Sequence, residues 1–125
     1  MNEPHPCPCC GYLQFSEPPG SYDICPICFW EDDGLQLEFA TTLEGGANHI
    51  TLLEAQRNYR RFGACVESMR ASVRAATSDD ARDPTWRPID PEQDSFADWD
   101  EDARERAPAG ADRYYWRPTF WRRAR

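Results

Sequence analysis

Two short cysteine pairs carry the chemistry of this sequence: Cys7-Pro8-Cys9-Cys10-Gly11 and Cys25-Pro26-Ile27-Cys28-Phe29. Pairing Cys7 with Cys10 and Cys25 with Cys28 gives the frame C-x2-C-x14-C-x2-C, which is close to the spacing of structural zinc sites. Two cysteines three apart, with a turn between them, bring both sulfurs to one cation. Proline presets that turn, and a residue such as Gly11 lets the following backbone take a positive φ and aim N–H groups at a thiolate. Cys9 occupies the variable position of the first pair, with its side chain expected to point away. The expected ligands of one structural Zn2+ are therefore Cys7, Cys10, Cys25 and Cys28. His5 is the nearest rival, but Pro4 and Pro6 flank it and no second histidine is close.

Two other chemistries compete for the same residues. Disulfides would need an oxidising compartment, yet the N-terminus has neither a charged n-region nor an apolar h-region, so a reducing cytosol is expected. A redox dithiol would sit between a strand and a helix in a βαβ setting, and no such pattern surrounds Cys7, Cys9 and Cys10. Four thiolates close the coordination sphere of zinc, so such an ion cannot activate water. Ser/His/Asp arrangements and phosphate loops are also missing, and the expected protein is not an enzyme.

Elements must hold these pairs. Gly11 to Phe15 reads as a short strand, and Pro19-Gly20 fits the centre of a type II turn. Tyr22 to Ile24 would return to the second pair, making a hairpin with one cysteine pair at each end. Phe29 and Trp30 follow as covers for the metal, then Glu31, Asp32 and Asp33. Leu35, Leu37 and Phe39 alternate with polar residues at period two, which predicts a half-buried strand. Thr51 and Glu54 form a capping box, and Leu52, Ala55, Tyr59 and Phe62 make one apolar stripe, which predicts a helix ended by Gly63. A second helical piece is expected from Cys65 to Ala75, with Cys65 as a small buried hydrophobe.

The stretches Cys-Pro-Cys-Cys-Gly-Tyr at 7–12, Pro-Gly-Ser-Tyr-Asp-Ile-Cys-Pro-Ile-Cys-Phe-Trp-Glu-Asp-Asp at 19–33, and the later Glu54-Ala55, Asn58-Tyr59 and Phe62-Gly63-Ala64-Cys65 resemble the bacterial cysteine-rich CPCC domain. The resemblance covers residues 5–76 and implies a small bacterial domain with a zinc-ribbon-like centre. It implies little about function.

The expected fold class is α+β: a zinc-ribbon-like β-hairpin module, then helices, then an irregular C-terminal extension. Residues 1–76 would form the cysteine-rich unit and 77–125 an extension. A half-chain this short cannot bury a large core, so a metal staple makes physical sense. From Thr77 the sequence turns rich in Asp and Pro, with Trp86 and Ile89 as isolated anchors, and reads as extended chain lying on the domain or as a linker. Phe96 to Ala107 is expected to form a short helix. Arg113 to Arg125 interleaves five arginines with aromatics, and is expected to fold back onto an acidic body rather than bind nucleic acid.

The chain of 125 residues has a net charge of −8, and its fourteen basic residues are all Arg. Residues 1–50 carry eight acids and no Arg. A four-thiolate zinc adds about −2, so this surface would repel phosphates and attract a basic protein. No run of eighteen apolar residues exists to cross a membrane. The expected role is a cytoplasmic, non-enzymatic interaction module, such as a bacterial immunity or antitoxin-like protein that covers a basic toxin. Phe29, Trp30, Glu31, Asp32 and Asp33 are its candidate contact. The alternatives are a nucleic-acid-associated zinc ribbon working through the tail, and a thiol redox protein. Neither the partner's identity nor the oligomeric state is written in these residues.

Overall fold

A computed structural model describes residues 3–100 and 112–121. In chain order the elements are strand β1 (His5–Pro6), strand β2 (Leu13–Phe15), helix α1 (Gly34–Glu38), helix α2 (Leu52–Phe62) and a 3-10 helix (Glu67–Ser72). The architecture is a two-stranded antiparallel hairpin followed by helices, with a buried cysteine cluster of zinc-ribbon-like character.

The hairpin differs from the one expected. β1 pairs with β2, placing His5 opposite Phe15 and Pro6 opposite Leu13, with a register irregularity between them. The strands therefore bracket the first cysteine pair instead of linking the two pairs. Residues 22–24 turn instead toward the segment after the second pair. Tyr22 N–H donates to Asp32 O at 2.9 Å, and Asp32 N–H to Asp23 O at 2.9 Å. The Pro19-Gly20 turn is present in the sense that matters, since Gly20 has φ +99°.

Leu35 to Phe39 is not a strand. α1 starts there because Asp33 caps it, its Oδ1 accepting from the N–H groups of Leu35 at 2.9 Å and Gln36 at 3.3 Å. Capping supplies partners for first-turn donors that a helix cannot satisfy itself. Five residues of alternation are too short to separate a strand from a single helical turn. Leu37 and Phe39 are indeed buried, but so is Gln36, which alternation would have put outside.

α2 follows its sequence signals closely. Thr51 Oγ1 accepts from Glu54 N–H at 3.1 Å, and Leu52, Ala55 and Gln56 are buried. Gly63 ends the helix with φ +82°, its N–H bonding Tyr59 O at 2.9 Å. The next piece is a short 3-10 helix rather than an α-helix to Ala75. None of its residues is buried, so no core surface pulls this segment into an α-helix.

The main core gathers the cysteines, Phe15, Ile27, Trp30, Leu37, Leu52 and Ala55. Ile89, Tyr114, Tyr115, Trp116 and Phe120 from the C-terminal part join the same cluster. Residues 114–120 of the tail therefore pack against the cysteine-rich core. A smaller cluster joins Phe39, Leu43 and Ala97, with Trp99 edge-on to Phe39 at 5.2 Å between ring centroids. Residues 96–100 are irregular. The rest of the expected helix to Ala107, and the last arginines of the tail, lie outside the described residues.

Candidate metal centre

The two cysteine pairs fold into the same turn twice. In the first, Cys7 N–H donates to Tyr12 O at 2.8 Å and Gly11 N–H to Cys7 O at 2.7 Å. In the second, Cys25 N–H donates to Trp30 O at 2.9 Å and Phe29 N–H to Cys25 O at 2.8 Å. Each residue of one turn corresponds to the residue eighteen later in the other. The residue after the second cysteine has positive φ in both, +82° at Gly11 and +72° at Phe29. Glycine takes that conformation freely, whereas phenylalanine must be held in it by its surroundings.

These turns aim four sulfurs at one point. Cys7 Sγ lies 3.6 Å from Cys28 Sγ, and Cys10 Sγ lies 3.7 Å from Cys25 Sγ. The four ligand atoms all lie within 4.8 Å of one another. A tetrahedron with metal–sulfur bonds near 2.3 Å has edges of about 3.8 Å. The set thus has the size and donor chemistry for one tetrahedral, thiophilic metal ion. All four residues are 0% exposed. Cys9 and Cys65 are buried beside this set but are not part of it.

Without an ion the four sulfurs cannot all ionise. Burial pushes the Cys7 and Cys28 thiols well above their ordinary range. Cys25 goes the other way, lowered by hydrogen bonds from Cys10, then Cys28 and Cys7. A bound divalent cation removes the conflict by stabilising thiolates directly, so binding displaces protons.

The backbone of each turn is in turn gripped from outside. On the second, Cys28 O accepts from Cys65 N–H at 2.7 Å, and Pro26 O from Arg74 N–H at 3.1 Å. On the first, the equivalent carbonyls are taken by side chains. Pro8 O accepts from Gln56 Nε2 at 2.9 Å and Trp86 Nε1 at 3.0 Å, and Cys10 O from Arg82 Nε at 2.8 Å. Residues 81–83 also run antiparallel along this turn, through Leu13 N–H to Ala81 O at 2.8 Å and Asp83 N–H to Gly11 O at 2.9 Å. The Arg82 guanidinium stacks on Tyr12 at 4.6 Å and on Trp86 at 4.9 Å. It brings a cation to a site whose four thiolates and divalent ion would sum to about −2.

This grip on the first turn was not legible beforehand. Trp86 was expected only as an anchor, and Arg82 and Gln56 carried no signal of their own. Gln56 sits on the helix as a polar residue, 1% exposed. Its amide also donates to Tyr115 Oη at 2.8 Å and accepts from Ile89 N–H at 2.8 Å. Asp83 adds a second tie, accepting from Trp116 Nε1 at 3.2 Å and from Arg117 at 3.1 Å.

The expected partner-binding row does not stand together at the surface. Trp30 is 0% exposed in the cysteine cluster, Asp32 is 2% and Asp33 5% exposed. Asp32 Oδ2 accepts from the Ser21 hydroxyl at 2.7 Å and its N–H at 3.2 Å. Burial raises the Asp32 carboxyl despite those bonds. Asp33 caps α1 and takes Ala47 N–H at 2.9 Å through Oδ2. These acids brace loops because a short aspartate reaches nearby N–H groups in turns. Only Phe29 and Glu31 of the row keep partial exposure.

No helix among the described residues is long and apolar enough to cross a membrane. No curated protein matches the chain. The cysteine-rich CPCC family matches residues 5–80, more than half of the sequence. With the paired turns and the four-sulfur cluster lying inside that span, the chain belongs to the cysteine-rich CPCC family.

Proposed function

We propose that the cluster holds one structural Zn2+ and that the protein is a non-enzymatic, cytoplasmic interaction module. The observation that carries this is the closure of the site: four cysteine ligands, each 0% exposed, leave a tetrahedral ion no position for water or substrate. Such an ion stabilises a small fold and does no chemistry. What it stabilises carries eight acids and no Arg over residues 1–50; Asp32, Asp33 and Glu38 are buried, and the acids left at the surface suit a basic protein. A bacterial immunity protein that covers the basic cleft of a toxin fits this charge. The reading predicts a complex whose association slows as salt screens the charges.

Two observations weigh against the rival readings. The tail aromatics Tyr114, Tyr115, Trp116 and Phe120 are buried in the core, so their faces are not offered to stacked bases. The cluster thiols are sealed from a disulfide substrate, where a redox dithiol must be reached. The test is purification of the complex from the native host, with the zinc content of the protein measured. A basic protein partner and one zinc per chain are expected. Co-purifying RNA that survives moderate salt, or insulin reduction by the metal-loaded protein, would replace the proposal.

A further inference from the structure

An apolar groove opens beside the second cysteine turn, with a volume of about 240 Å3. Its apolar walls are Phe29, Ile50, Val66 and Met69, and the buried Cys65 also lines it. Each of the four wall residues is half-buried. His49 stands exposed at the rim. Glu31 also lines the groove, and no arginine does.

Three features set this groove apart from an accidental crevice. First, one wall is rigidly built. The loop carrying Asn48 and Ile50 is held by Gln36, which is 0% exposed. The Gln36 amide donates to Leu43 O at 3.2 Å, Asn48 O at 3.0 Å and Ile50 O at 3.0 Å, and accepts from Asn48 N–H and Nδ2 at 2.9 Å each. Second, Asn48 clasps the Glu31 backbone from both sides, accepting its N–H at 2.9 Å and donating to its carbonyl at 2.8 Å. That fixes where the Glu31 side chain departs. Its carboxylate makes no hydrogen bond or ion pair among the described residues. Third, another part of the lining is soft. Met69 lies on the 3-10 helix that buries none of its residues, and methionine adapts its shape to what it meets.

We infer that this groove receives an apolar side chain of a partner protein, with an adjacent arginine or lysine of that partner paired to Glu31. A preformed apolar slot of this volume fits one leucine or phenylalanine side chain. A half-buried carboxylate in a lining that holds no arginine selects a cation beside that anchor. The inference rests on the protein-binding reading above and names its contact: Phe29 and Glu31, joined by Ile50, Val66 and Met69, in place of Asp32 and Asp33.

The test uses the zinc-loaded full chain and two probes, acetyl-Phe-Arg-amide and acetyl-Phe-Glu-amide, titrated by 1H–15N NMR. The arginine probe is expected to shift the amides of Phe29, Glu31, Ile50, Val66 and Met69, and to bind about three- to tenfold tighter than the glutamate probe, as one partly desolvated charge pair allows. Glu31→Gln should equalise the two probes, and Met69→Asp, on a helix with no buried residue, should weaken both without unfolding the protein. Equal binding of the two probes to the native chain, or shifts confined to residues away from the groove, would overturn the inference. The protein-binding reading fails separately. If a native complex forms and survives Glu31→Gln and Met69→Asp unchanged, the groove is wrong while that reading stands. If the groove selects the arginine probe but no protein partner is found, the reading is wrong while the site stands.

Discussion

Gly11→Ala tests the grip on the first cysteine turn, because its effect can be divided between two causes. Gly11 and Gly63 share the same backbone angle, φ +82°. An alanine pays about 1 kcal/mol for the left-handed region at either place. The surroundings differ sharply. A Cβ on Gly63 meets nothing within 4 Å, whereas a Cβ on Gly11 falls 2.6 Å from Trp86 Cδ2 and 2.8 Å from its Cε3. The indole must then move, straining the packing by about 1–3 kcal/mol and weakening its 3.0 Å bond to Pro8 O. The expected loss is about 1 kcal/mol for Gly63→Ala and about 2–4 kcal/mol for Gly11→Ala. Urea unfolding of the metal-loaded protein, followed by circular dichroism, reads both. Repeating Gly11→Ala in a Trp86→Ala background should bring its cost back to that of Gly63→Ala, a coupling of about 1–3 kcal/mol. Equal losses at the two glycines, or a coupling near zero, would show that Trp86 does not seat on this turn.

The remaining predictions are more direct. Serine at Cys7, Cys10, Cys25 or Cys28 should abolish stoichiometric metal and unfold the N-terminal half, while Cys9→Ser and Cys65→Ser keep the metal, as elemental analysis of purified variants would report. Arg82→Ala should speed transfer of the metal to a chromogenic chelator by about 10- to 100-fold, the range found when groups supporting ligands are removed; an unchanged rate would deny Arg82 a part in the site. Burial pushes the Cys65 thiol up to about 12, so at pH 8 its thiolate fraction is about 10^-4 and iodoacetamide should label it only after denaturation. Thr51→Ala removes the α2 cap and should cost about 1 kcal/mol in the same unfolding assay.

Much of the site was legible because its signals are local. Two Cys-Pro-x-Cys turns dictate their own geometry, and so does a threonine three residues before a glutamate. The sequence misled where a residue serves something distant. Asp32 and Asp33 look like surface charge until Ser21 and Ala47 are folded against them. Leu35 to Phe39 alternates as a strand would, and only the cap at Asp33 and the inward Gln36 reveal a single helical turn. Gln36 and Gln56, the two buried hubs, have the composition of ordinary surface residues; their partners lie 7 to 14 and 33 to 59 residues away. The fold-back of the tail could be read from charge and aromatic content, but the carbonyls that Arg82 and Trp86 seize could not.

The grip on the first turn also has a bearing on how the protein is made. Two of its three donors, Arg82 and Trp86, lie 72 and 78 residues beyond the carbonyls they hold, and the third, Gln56, 48 residues beyond. Domains assemble from the N-terminus as the chain leaves the ribosome. Both cysteine turns, Gln56 and the segment that braces the second turn therefore leave the ribosome before Arg82 and Trp86 do. During that interval the Cys7–Cys10 half of the candidate metal site has one of its three side-chain braces, and a bound ion would exchange through that side. Arrival of Arg82 and Trp86 would close the interval, and a nascent chain carrying an ion would pass from a form that trades it readily to one that keeps it.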